Sequence, residues 1–264
     1  MRVARVVFSI FFAFVLVISL AAQQTTTSNP QALSLLQRSL NALSGGQSLN
    51  DVTLSGTARR IAGSDDETGT AVFKALASGA GRTDLSLPSG SRSEIANVTA
   101  APPAGAWSGP DGVSHAIAYH NLLNEPSWFF PAFAIARRLA TSGYIVTYVG
   151  QETHNGQAVE HVSISQTPPS PDSAGAALQR LTQVHFFLDS TNLLPAVIAF
   201  NIHPDSNALL DIPVEIRFTD YRSFNGSQIP YHIQKFLNNS LLLDFQAQTV
   251  TPNSGLTAAI FGAL

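Results

Sequence analysis

Seven histidines are the side chains best suited to metal or acid–base chemistry here, and their spacing argues against a local site. His115 and His120 lie five apart, which on a helix turns one more than about a hundred degrees from the other. His154 falls in a predicted turn. His161, His185, His203 and His232 are dispersed over separate predicted strands. Zinc hydrolases place two histidines on one helical face, as in H-E-x-x-H, and no such pair is present. No serine occupies a G-x-S-x-G elbow, Ser-x-x-Lys is absent, and there is no G-x-G-x-x-G or P-loop for a nucleotide. Asp65-Asp66-Glu67 reads as a solvated turn. Asp189, Asp220 and Asp244 sit at strand ends or on strand faces. Two alternatives stay open in linear sequence: a two-carboxylate glycosidase, and a secreted hydrolase built from His161, His185 or His232 with strand-borne acids. The expectation is nevertheless a protein that is not an enzyme, with no catalytic residue, no metal and no cofactor.

The apolar residues carry more information. Trp107, Trp128, Phe129, Phe130 and Phe133 gather in one third of the chain, and Ile135 follows. The segment Ala132–Ala140 is apolar almost all round until Arg137-Arg138. A helix without a polar face is buried or sits over a cavity. Two readings follow: a filled core between helix and sheet, or a pocket for acyl chains with these six residues as its wall and lid. Cavities in bent or barrel-like sheets are common ligand sites and are lined by such side chains.

The elements that must position these residues follow from periodicity. Pro30 opens a helix, Leu33, Leu36, Leu40 and Leu43 give it an apolar stripe, and Gly45-Gly46 ends it. Alternation of period two predicts strands near 52–59, 70–77, 82–87 and 92–98. Residues 101–112 are rich in proline and glycine. A helix is predicted over 113–124 and another over 132–140. A hairpin turns at His154-Asn155-Gly156, where Asn-Gly is a strong turn signal. A short helix follows at 173–181, then five strands near 184–189, 196–202, 214–221, 228–236 and 241–247. One face of these carries Ile198, Phe200, Ile202, Val214, Ile216 and Phe218, and the other Asn201, Glu215, Arg217 and Thr219. Short hairpin connections make a meander the economical topology.

Composition sets the class. The chain has 264 residues, 45% hydrophobic and 12% charged, where about 25% charged is ordinary. Net charge is −3 and there is no basic stripe, so nucleic acid is excluded as a partner. Arg2 and Arg5 precede an apolar run from Val6 to Ile18, with small residues at Ser19, Ala21 and Ala22. This is the pattern of a secretory signal peptide cleaved near Ala21 or Ala22. The run falls short of the roughly 20 residues that span a bilayer. The organisation read from the chain is therefore a signal peptide at 1–21, a linker at 22–28, one domain at 29–250 and a tail at 251–264. Cysteine is absent, which removes disulfides, thiolate chemistry and lipidation of an N-terminal cysteine.

Two phrases resemble the LolA/LolB-like superfamily, the periplasmic carriers of outer-membrane lipoproteins and their relatives. One is Val184-His-Phe-Phe-Leu-Asp189-Ser-Thr191-Asn-Leu-Leu194-Pro195. The other is Asp220-Tyr-Arg222-Ser-Phe-Asn225-Gly226-Ser-Gln-Ile229-Pro230-Tyr231-His-Ile233. The order of elements, with Trp-Ser-Gly-Pro-Asp-Gly at 107–112, also fits. The resemblance implies an α+β fold: a strongly curved antiparallel sheet, an incomplete β-barrel of about 10–12 strands, with an N-terminal helix and central helices covering its open concave side. It implies binding of a lipid or of the acyl chain of a lipoprotein in the periplasm, with contact to an inner- or outer-membrane surface. The carriers of this family have an arginine–proline pair on an early strand, the arginine holding the lid. The nearest region here, 77–82, has only Arg82. The alternative to a carrier is a structural or envelope-assembly module with a filled core that binds no ligand.

Overall fold

A computed structural model describes residues 27–170 and 172–262. The predicted signal peptide lies outside the described residues. Thirteen strands form one antiparallel sheet. The first six are β1 (Asp51–Ala62), β2 (Asp65–Leu76), β3 (Ala80–Leu87), β4 (Gly90–Asn97), β5 (Ala104–Ser108) and β6 (Ser114–Ala116). The remaining seven are β7 (Tyr144–His154), β8 (Gln157–Gln166), β9 (Val184–Asp189), β10 (Pro195–Ile202), β11 (Ile212–Phe224), β12 (Ser227–Leu237) and β13 (Ser240–Pro252). The order across the sheet is β6-β5-β4-β3-β2-β1-β13-β12-β11-β10-β9-β8-β7. Two meanders therefore meet in the middle: the first grows outward from β1, and the second returns inward until β13 pairs with β1. The sheet does not close, and β6 and β7 remain its edges.

This topology explains the lid. The chain leaves one edge at β6 and re-enters at the other edge with β7, so the connection must cross the sheet. It does so over the concave face, carrying a 3-10 turn at Tyr119–Leu123, the aromatic stretch 128–130 and helix α2 (Pro131–Ala140). Helix α1 (Pro30–Ser44) packs beside α2 in the same concavity. A single core joins α1 and α2 to side chains of the sheet from β2 to β7, including Phe73, Phe245, Ile233, Ile216, Phe186 and Val146. Phe73 anchors it, with ring centroids 4.3 Å from Phe245, 5.1 Å from Phe129 and 5.7 Å from Trp128.

Local chemistry sets the ends of α1. The Asn29 side chain accepts from the Ala32 N–H at 3.0 Å, and Pro30 needs no N–H partner at the first position. Gly45 takes φ +57°, and a Cβ there would stand 2.1 Å from the Gly226 carbonyl oxygen of the β11–β12 turn. Only glycine combines that backbone with that approach. Ser227 fixes the same junction by donating its hydroxyl to the Ser44 carbonyl at 2.8 Å.

Three expectations need correction. Residues 113–124 do not form a helix: 114–116 extend the sheet as β6, and only Tyr119–Leu123 coils, as a 3-10 turn. The Pro/Gly-rich segment contributes β5, so the described residues hold thirteen strands, above the expected 10–12. On α1 the buried positions are Ala32, Leu35, Leu36, Ser39 and Leu43, whereas Leu33 faces outward. The small residues Ala32 and Ser39 are fully buried, where apolarity alone would have ranked them low. The helix α3 (Ser173–Leu181) matches its expected span and is capped by Asp172, which accepts from the Gly175 N–H at 2.9 Å.

Candidate functional site

The concavity is not filled evenly. Helices α1 and α2 pack against the β7–β12 side, while the inner face near β3, β4 and β5 is left as an open groove. Register shows why. On β1 the inward positions continue past Ala58 to Arg60, opposite Leu243 of β13, which in turn stands opposite Lys235 of β12. Across the groove, Glu94 of β4 lies between Thr83 of β3 and Trp107 of β5, and Arg92 stands opposite Leu85.

Two contiguous cavities occupy this space. The first, of about 430 Å³, is walled by Leu85, Trp107, Trp128, Leu242 and Leu243, with Arg60, Arg92, Glu94 and Lys235 as its charged groups. The second, of about 280 Å³, runs under the 3-10 turn between Ile117, Leu122, Phe200 and Ile202. Both share Glu94, Trp107, Trp128 and Lys235. The tryptophans are the only two in the chain. Trp107 is 43% exposed and stacks on His115, with centroids 4.4 Å apart. Trp128 is buried against Phe73, and Lys235 Nζ lies 4.5 Å from its ring centroid. In the second cavity, the Asn124 amide nitrogen donates to the Asn201 carbonyl at 3.0 Å, while its oxygen has no partner among the described residues.

Of the six residues that the sequence singled out, Trp107 and Trp128 thus lie together on the groove. Phe129, Phe130, Phe133 and Ile135 lie behind it, at most 2% exposed, packed in the core beneath α2. Sequence reasoning missed Arg60, Arg92, Glu94 and Lys235. Arg60 had a signal, since it continues the inward period of β1; Lys235 is one of only two lysines.

A buried ionic clamp holds the lid. Glu125 has no exposed side-chain surface, and it accepts from Arg137 at 2.9 Å and from Arg138. Its other oxygen accepts the Ser127 hydroxyl at 2.6 Å and the Ser127 N–H at 3.1 Å. Burial pushes the Glu125 pKa up, but Arg137, Arg138 and Ser127 outweigh it and hold the carboxyl at about 2. Burial and repulsion by Arg137 lower Arg138 from its ordinary value, against the pull of Glu125. Arg82 does not take the lid-holding role: it donates to Asp84 at 2.7 Å and to the Ile260 carbonyl at 3.3 Å, beside the C-terminal turn. Here the arginines stand on the lid and the carboxylate on the loop before it.

Four of the histidines lie elsewhere, whereas His115 stacks on Trp107 and His203 lines the second cavity. His161 Nε2 is 2.8 Å from His185 Nδ1, His161 Nδ1 is 3.0 Å from Glu152, and His154 is 3.0 Å from Glu215. Phe187 stacks between His154 and His161, at 4.0 and 4.2 Å. This row belongs to the outer face, with Val159 and Val197. Burial lowers the pKa of both His161 and His185, the latter to about 4 with His161 adding repulsion. His232 bridges Thr219 at 2.9 Å and Asp244 at 2.8 Å across three strands. That order of hydroxyl, imidazole and carboxylate occurs on the face away from the groove, and neither cavity is lined by these three residues. Among the described residues, no three histidine or acidic side chains are placed to hold a metal ion.

No protein-family model matches the chain, and no curated protein matches it. Solved structures do. An outer membrane lipoprotein-sorting type of domain from Vibrio parahaemolyticus superposes with TM-score 0.53 at 12% identity, covering 88% of this chain and 97% of that one. The chain has the LolA-like fold. A LolA superfamily protein from Nitrosomonas europaea gives TM-score 0.53 at 11% identity, over 87% of this chain and 96% of that one. A DUF1329 family protein from Desulfovibrio piger gives 0.52 at 9%, over 88% and 95%. At such identities the likeness is one of fold, so what the LolA-like groove of this chain does is argued from its own residues.

Proposed function

We propose that this protein is an exported, non-catalytic carrier that binds the acyl chain of a lipid or an acylated lipoprotein in the groove between Trp107 and Trp128. The observation that carries the reading is the pair of contiguous cavities walled by these two rings on the concave face of a LolA-like sheet. Their volumes together reach the range usual for small-molecule sites. An acyl chain gains about 0.8 kcal/mol for each methylene buried, and an apolar trough open at one side lets it enter lengthwise. The domain spans residues 29–250, and the N-terminal signal takes it to the periplasm or outside the cell. There it takes its ligand from a membrane surface or from a lipoprotein. In the closed arrangement Trp107 and Trp128 touch the ligand. Phe129, Phe130, Phe133 and Ile135 form the underside of the lid, and a ligand larger than the groove reaches them by displacing α2.

Native mass spectrometry of freshly purified protein, followed by lipid extraction, tests the reading. The expected result is bound lipid, or loading by an added fluorescent fatty acid that unlabelled fatty acid displaces. Absence of both favours the filled-core assembly module.

A further inference from the structure

The groove is apolar in its walls and cationic along one side. Arg60 of β1 and Lys235 of β12 flank Leu243 of β13 from opposite sides in the register, on the same face of the sheet. Their strands are two spacings apart, or about 10 Å. Arg92 faces the same cavity from β4. Among the described residues, neither the Arg60 nor the Lys235 side chain has a hydrogen-bonding or ion-pair partner, and Lys235 meets only the Trp128 ring, whereas Arg59, next in the chain, is held by Asp66 at 2.6 Å. Arg92 donates one guanidinium nitrogen to the Ser89 hydroxyl oxygen at 2.8 Å and stands 3.9 Å from Glu67. Among the described residues, Glu94 is the one acid lining this cavity, so its charged groups sum to a positive patch. Burial and the neighbouring Arg92 depress the Arg60 pKa, against the weaker pull of Asp65 and Glu67. A groove meant for a neutral chain alone has no use for unpaired cations, which cost free energy to desolvate.

We propose that the ligand is an anionic amphiphile, its carboxylate or phosphate head held between Arg60 and Lys235 with Arg92 in support, and its chain laid along Trp128 and Trp107. This rests on the acyl-chain reading above and adds the chemistry of the head. Guanidinium and ammonium donors meet such a head by charge-assisted hydrogen bonds, which are stronger than neutral ones. Lys235 above the Trp128 face shows the junction: the charged group stands where the chain begins.

The test compares stearate with its methyl ester, both as dibromo derivatives that quench tryptophan, on the full-length mature protein at pH 8. Losing the charge while keeping the chain is expected to weaken binding roughly tenfold to a hundredfold. The R60Q/K235M double variant is expected to lose the preference, binding the acid no more tightly than it binds the ester. K235M alone gives an intermediate effect should the double variant fold poorly. E94Q is expected to tighten acid binding. A lysophosphatidate arm separates the sources of the head: tighter binding than stearate identifies a phosphate, weaker a carboxylate, and either supports the assignment. Equal affinity of acid and ester overturns the anionic head while leaving the acyl groove standing. Absence of quenching by both overturns the groove itself.

Discussion

Replacing Glu125 by glutamine keeps the shape of the clamp and removes its charge. Two guanidiniums then face one another at the base of the lid, one of them on an almost fully buried side chain. Breaking a buried ion pair by removing one partner costs about 3–5 kcal/mol. The carboxyl pKa gives a consistent figure. It moves from 4.5 unfolded to about 2 folded, and at about 1.36 kcal/mol per unit this corresponds to about 3 kcal/mol. Because the folded value is the lower one, that stabilisation is fully present above pH 4.5 and is lost as pH falls toward 2. For a chain of this size about 3 kcal/mol lowers Tm by about 6–12 °C. Thermal unfolding followed by circular dichroism at pH 7 is the assay, with wild type and E125Q repeated at steps down to pH 2. The gap between the two is expected to close in acid. A variant that melts within about 2 °C of wild type at pH 7, or a gap that persists unchanged at pH 2, refutes the clamp.

Further outcomes separate groove from core. Trp107→Ala removes a half-exposed ring and is expected to leave Tm within a few degrees while weakening fatty-acid binding; Phe133→Ala is expected to cost about 3–5 kcal/mol, read in denaturant melts. Gly45→Ala forces a Cβ onto the Gly226 carbonyl at a left-handed backbone position, so a loss above about 1 kcal/mol is expected by the same melts. His185 titrates near pH 4 in the fold, below its ordinary 6.5, so the unfolded chain takes the proton first. Stability is therefore expected to fall as pH drops from 6.5 toward 4, above the Glu125 step, and H185Q is expected to flatten that slope in pH-dependent melts.

Strand alternation exposed most of the sheet because one face is buried and the other is not. Ile198, Phe200, Val214, Ile216 and Phe218 are on the inner face as their period demanded. The edge strand β6 and its neighbour β5 escaped because Ser114–Ala116 and Ala104–Ser108 are short and pair on a half-exposed rim, so no apolar period marks them. Trp107 and Trp128 were legible as aromatic, but not as neighbours. They are twenty-one positions apart and line the same groove only because β5 leads to the edge from which the lid crosses. Phe130 and Phe133 looked equally suited to a ligand, yet α1 covers that side of the concavity and leaves them in the core. The cationic side of the groove was invisible for a related reason. Arg60, Arg92 and Lys235 come from three distant strands, and only the pairing of β13 with β1 brings two of them together.

In the proposed binding mode an acyl chain lies between the two tryptophans, and intrinsic fluorescence reads this directly. Trp107→Phe and Trp128→Phe each leave one emitting ring, and both rings line the groove. Titration with dibromostearate is expected to quench both single-tryptophan proteins with the same saturating dependence on ligand, and unbrominated stearate is expected to reverse it. Saturating ligand that leaves Trp128 unquenched, or quenching that never saturates in either protein, contradicts the account.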